Sequence, residues 1–235
     1  RVERLEGTII KWTTEEFLKF VKKINFNPTE LEKRKMRLIY SGIYPLKDIL
    51  NSVPKEEPYE SKLYEGYNSN WYDLKEGWLF EPSSIYEIYE KINQIDFSKN
   101  NNYCLALYGN AFCGKDCILK LVGSYLEKKG VEVLEFKGKK LDIRALREYI
   151  SNSTNENYAL LVENASYYYK VIEKILQMDT GKHILVVTTS RNYYHMKKKY
   201  YLEGNPYEEI KIEDSIDKIS AQNIYIKLKE KGYLG

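Results

Sequence analysis

From Tyr103 onward the chain alternates short apolar runs with amphipathic stretches, and that alternation leaves few folds open. YCLALYG (103–109), VEVLEF (131–136), YALLVEN (158–164) and HILVVTTSR (183–191) are the apolar runs, and YEEIKIED (207–214) offers a fifth, shorter one. Between them lie KDCILKLVGSYLEKKG (115–130), DIRALREYISN (142–152) and SYYYKVIEKILQM (166–178), whose apolar residues recur at helical spacing. Strands apolar throughout are buried on both faces. The pattern therefore predicts an α/β fold, with a parallel sheet covered by helices on each side.

The junction between the first strand and the first helix carries chemistry. LALYGNAFCGKD (105–116) reads G-x-x-x-x-G-K, from Gly109 through Asn110, Ala111, Phe112 and Cys113 to Gly114 and Lys115. This spacing in a strand–loop–helix setting is that of a phosphate-binding loop. Its backbone N–H groups and the helix N-terminus make a pocket of partial positive charge, and the lysine reaches the β- and γ-phosphates. Cys117 ends the candidate nucleotide-binding set. The pattern wants Ser or Thr after the lysine, a neutral Mg²⁺ ligand, and the chain has Asp116. A carboxylate there either binds Mg²⁺ itself, as hard oxygen ligands do, or marks the loss of tight Mg-nucleotide binding.

Two further strand ends point the same way. ALLVEN ends in Glu163 and Asn164. An acidic residue at this place helps hold Mg²⁺, which makes Asp116 and Glu163 the candidate metal ligands. Asn164 stands where many ATPases carry a glutamate that polarises water, and an amide cannot take a proton as a general base. LVVTTSR ends in Thr189, Ser190 and Arg191, with Thr189 and Arg191 the candidate γ-phosphate sensors.

Loop, acidic strand end and T-S-R, in that order, resemble the STAND class of P-loop NTPases, close to the NACHT and AAA+ groups. The resemblance spans about 78–235 and includes WLFEPSSIYEIYEKI (78–92) as the segment leading into the loop. Glu81 and Pro82 replace the Gly-Arg pair usual there. It implies a P-loop NTPase core over 78–204 and the start of a C-terminal helical extension over 205–235. Residues 1–77, mainly helical, would be a connector or the tail of an upstream effector domain. It further implies ATP or ADP as ligand, with Mg²⁺, and homo-oligomerisation on activation within a larger signalling or anti-phage protein. With Asp116 and Asn164 as they are, it implies a switch with slow or absent hydrolysis, at most a weak ATPase. The alternatives are a P-loop phosphotransferase, a scaffold with a relic loop, or a nucleic-acid-binding module.

The remaining sequence narrows these. LEGTIIKW (5–12) reads as a strand, and Phe17, Leu18, Phe20, Val21 and Ile24 form the apolar face of a helix capped by Thr13 or Thr14. A second helix runs from Thr29 towards Gly42 and Pro45, and 51–77 reads as a linker or extended packing segment. SSIYEIYEKINQI offers a serine cap and Asn100–Asn102 a loop, and a helix closes the chain over 215–232. Net charge is +3 over 235 residues, which demands no nucleic-acid partner. RNYYHMKKKYY (191–201) is expected as a solvated basic helix with its tyrosines packed inward. No apolar run is long enough for a membrane span, and three cysteines without C-x-x-C point to a reducing, cytoplasmic setting. The first residue is Arg1, which fits a piece of a longer protein.

Overall fold

The computed structural model describes residues 2–5, 8–11, 28–52, 61–65, 67–95 and 102–233. The helix expected over Phe17–Ile24 lies outside them. LEGTIIKW gives not one strand but half of a hairpin, in which β1 (Val2–Leu5) pairs antiparallel with β2 (Thr8–Lys11).

The apolar runs form the predicted sheet. β4 (Tyr103–Gly109), β5 (Glu132–Phe136), β6 (Asn157–Val162), β7 (His183–Arg191) and β8 (Tyr207–Lys211) are mutually parallel. With β3 (Ile43–Pro45) antiparallel on the β5 edge, the order is β3-β5-β6-β7-β4-β8. β3 falls where the sequence suggested only the stop of a helix. That helix, α1 (Glu30–Tyr40), starts as expected, with Thr29 and Glu32 forming a reciprocal capping box.

Period-two alternation splits the core between the two faces. Cys104, Ala106, Leu134, Leu160 and Val186 face one way, against Leu146 and Ile150 of α6 (Ile143–Ser151) and Ile172 of α7 (Tyr169–Leu176). Leu105, Leu107, Val133, Leu161 and Val187 face the other, against Ile118, Leu119, Val122 and Leu126 of α5 (Lys115–Lys128). Trp71 of α3 (Trp71–Lys75) and Ile85, Ile88 and Ile92 of α4 (Ser84–Gln94) complete that second layer. The segment after α2 (Leu46–Ser52) is therefore a packing segment where it is described, with Leu63 also set against this core.

Two local readings change and one gains a burial the sequence did not suggest. Ser83 makes no capping bond to its own helix; its hydroxyl bonds Asp217, and its N–H donates to the Ser220 hydroxyl at 3.0 Å. This ties α4 to the start of α9 (Lys218–Glu230). Asn102 lies outside any helix or strand, as a loop residue would, but is buried, its amide bonded to backbone around 175–184. In α8 (Asn192–Lys198) and the turn after it, the inward side chain is His195, fully buried, while Tyr193 and Tyr200 are exposed. Imidazole wins the inside place because it finds two polar partners there, Tyr169 and Glu209.

Candidate nucleotide site

β4 ends, and α5 begins, at the C-terminal edge of the parallel strands, where open α/β sheets hold their ligands. Gly114 is the N-cap of α5, at φ 79°. Gly109 is needed for close approach: a Cβ there would stand 2.5 Å from the Ile212 carbonyl oxygen and 2.7 Å from Cys113 Sγ. Phe112 holds φ 65° with its ring fully exposed, a left-handed conformation uncommon for an aromatic residue and a hallmark of functional loops.

The Lys115 ammonium lies over the loop, bonded to the Asn110 carbonyl and 3.2 Å from Cys113 Sγ. Asn110 in turn bonds the Asp214 carboxylate after β8. A cleft of about 460 Å³ opens beside the loop. Ala111, Phe112, Gly114, Lys115, Asp116 and Cys117 line it together with Asn164 and Arg191. Tyr64, Tyr67, Asn68, Ser69 and Phe80 supply a wall that sequence reasoning did not assign to the site. Its signal was only a few aromatic residues, Tyr64 and Tyr67 in a segment read as linker and Phe80 in the segment leading into the loop.

The other candidate residues are divided. Arg191 reaches the cleft, pairing in register with Gly109 across β4 and β7. Thr189 is buried, opposite Leu107 within the sheet. Asn164 takes φ 50° and opens a short 3-10 turn (Ala165–Tyr167). Glu163, just past β6, turns to Lys120, whose ammonium is 3.2 Å from Glu163 Oε1 and 3.4 Å from the Asp116 carbonyl oxygen. Lys120 is 4 % exposed and lies 6.0 Å over the Trp71 ring. Trp71 is held in turn by its Nε1–H to Glu135 at 2.7 Å. Lys120 went unremarked in the sequence because a lysine one turn into a helix ordinarily reaches solvent.

Burial raises the Asp116 carboxyl above the usual range, and the charge of Glu163 raises it further; Lys120 and Lys115 pull it back. Burial likewise pushes the Cys117 thiol up, away from a reactive thiolate. Against a divalent ion the trio Asp116, Glu163 and Lys120 is mismatched. The two carboxylates are suitable oxygen donors, but Mg²⁺ held by them would stand near a fixed ammonium. At about 4 Å and an effective dielectric of about 20 that repulsion is roughly 8 kcal/mol. Among the described residues no three His, Cys, Asp or Glu side chains gather into a metal-binding group.

The sheet, the loop at its C-terminal edge and the helices on both faces have the parallel-sheet fold of P-loop NTPase cores, with an N-terminal segment and a C-terminal helix added. No family model and no curated protein matches the chain. Solved structures do. S. cerevisiae Hsp104 in its complex with casein, an AAA+ ATPase, superposes with TM-score 0.50 at 12% identity, over 68% of this chain and 32% of Hsp104. A DNA replication initiation factor gives 0.39 at 18%, over 71% of this chain and 53% of its own. The E. coli MS115-1 HORMA:CdnC:Trip13 complex gives 0.36 at 13%, over 90% and 75%. The chain spans about a third of Hsp104, and the likeness is one of fold. Among the described residues no helix is long and apolar enough to cross a membrane.

Proposed function

We propose that this chain is the nucleotide-binding switch of a larger signalling or defence protein, taking ATP or ADP with slow or absent hydrolysis. The observation that carries the reading is the convergence of Lys115, the α5 N-terminus and Arg191 on one cleft walled by Tyr64, Tyr67 and Phe80. The phosphates would lie on the loop's N–H groups and on Lys115, and the aromatic wall would take the base by stacking. Arg191 would read the γ-phosphate. Asn164 supplies no general base, and Glu163 is engaged by Lys120, which supports slow turnover.

In this reading residues 1–77 lead to an effector while lending β3 and most of the aromatic wall to the core, 78–204 form most of the switch core, and 205–235 add β8 before a helical extension. The extension touches the segment leading into the loop: Asn223 donates to the Glu81 carbonyl at 3.0 Å, and Lys231 Nζ to the Glu76 carbonyl at 2.5 Å. A nucleotide held against that segment would favour one arrangement of the extension, shifting a population between closed and oligomerising forms. Size measurements with ADP and with a non-hydrolysable ATP analogue test this. A nucleotide-dependent change in mass supports the switch, and one mass under all conditions counts against it.

A further inference from the structure

Lys120 is the group the nucleotide reading leaves over. Its ammonium is withdrawn from water, 4 % exposed. Burying a charge is costly unless it is paired, and the partner here is Glu163 at 3.2 Å. That carboxylate comes directly after β6, and Asp116, one helical turn before Lys120, follows the loop lysine directly. Both residues occupy positions that in a P-loop site normally supply or orient the ligands of a divalent cation. Trp71, fixed by Glu135, closes the other side of the ammonium at 6.0 Å, so the lysine cannot swing away without unpacking the core.

We propose that Lys120 is a built-in cation: its ammonium takes the place of the divalent ion, so the site accepts a nucleoside polyphosphate free of metal. This rests on the nucleotide reading above. The charges agree with it. Lys115, Arg191 and Asp116 line the cleft, and the Lys120–Glu163 pair adjoins Asp116 through the bond from Lys120 to its carbonyl, so three positive charges stand against two negative ones, a surplus for a polyanion without any metal. An ammonium is a point charge with three donors and gives no octahedral template, so it compensates charge without positioning an attacking water. Binding without fast hydrolysis is the expected result.

The test is calorimetric titration of the full chain with ATP and ADP, in excess EDTA and in excess Mg²⁺, for wild type, Lys120→Met and Lys120→Arg. Manganese binding by paramagnetic resonance, without nucleotide, runs beside it. For wild type the dissociation constants in EDTA and Mg²⁺ agree within about threefold. Lys120→Met weakens binding in EDTA at least tenfold and recovers part of it with Mg²⁺, while Lys120→Arg stays indifferent to metal. Wild-type affinity that collapses in EDTA overturns the proposal with no variant needed. If wild type binds no nucleotide in either condition, the switch reading fails, and the manganese titration decides this one. Manganese taken up by Lys120→Met but not by wild type sustains the ammonium as occupant of the metal position. Equal uptake by both, or by neither, overturns it.

Discussion

Asn102 offers a perturbation whose size can be worked out from the structure. Its side-chain amide donates to the Ile175 carbonyl at 3.0 Å and the Met178 carbonyl at 2.8 Å, and its Oδ1 accepts from the Ile184 N–H at 3.2 Å. The residue is 6 % exposed and stands just before β4, so it fastens the α7–β7 connection to the strand that delivers the loop. Replacing it with alanine removes two donated bonds and one accepted bond. At about 1 kcal/mol each the loss is about 3 kcal/mol. For a chain of this size 1 kcal/mol moves the melting temperature by about 2–4 °C, so Asn102→Ala should melt about 6–12 °C lower. Asn102→Asp keeps the acceptor for Ile184 but sets a carboxylate against carbonyl oxygens, so it should melt lower still. The site lies at the opposite end of β4, and both variants should keep wild-type nucleotide affinity below their transitions. Thermal unfolding by circular dichroism, with calorimetry, reads all of this. An Asn102→Asp protein as stable as wild type would refute the hydrogen-bond argument.

Two further perturbations test other parts of the account. Gly42→Ala puts a Cβ 2.5 Å from Gly138 Cα at a backbone φ of 81°; left-handed strain and overpacking together should cost about 2–5 kcal/mol, visible as a lower urea midpoint. An unchanged midpoint would contradict the close packing of α1 and β3 on the 137–138 turn. His195 is held by Tyr169 at 2.6 Å and Glu209 at 3.0 Å, stacked on Tyr108, with Lys199 2.9 Å from Glu209. Burial depresses its pKa below the unfolded value of about 6.5, despite the opposing Glu209. The unfolded chain therefore binds the extra proton, and this group's contribution is present above about pH 6.5 and lost as pH falls through the window beneath it. Glu209, lowered by Lys199 and His195 against its own burial, adds a loss of the same sign in the carboxylate range. Between pH 7.5 and 5.5 the urea midpoint should fall, and His195→Gln should flatten that slope; parallel slopes would refute the assignment.

The sheet was legible because its signal is repeated. The four long apolar runs and the short fifth one each became a strand, and the loop motif sits where a strand meets a helix. Strand β3 was not legible, since three residues carry no period and its place depends on the edge of β5, which is distant in sequence. The basic helix was misread for a related reason. Tyrosine looks like core material and histidine does not, yet the inward place went to the side chain with polar partners waiting on α7 and β8. Of the candidate site, Ala111, Phe112, Gly114, Lys115, Asp116, Cys117, Asn164 and Arg191 line one cleft. Lys120 and the aromatic wall escaped notice, because only tertiary packing covers Lys120 with Trp71 of α3 and brings Tyr64, Tyr67 and Phe80 to the cleft.

The most direct test of the central claim is calorimetric titration of ATP and ADP into wild type and Lys115→Ala. Lys115 has little to hold in the fold beyond the loop carbonyl and Cys113, so the variant should stay folded. Loss of one or two charge-assisted bonds to phosphate, each about 1.5–3 kcal/mol, predicts binding weakened by at least tenfold. Saturable binding in wild type that Lys115→Ala abolishes or weakens to that degree is the result the account predicts. Equal affinity in the two proteins, or no binding in either, would contradict it.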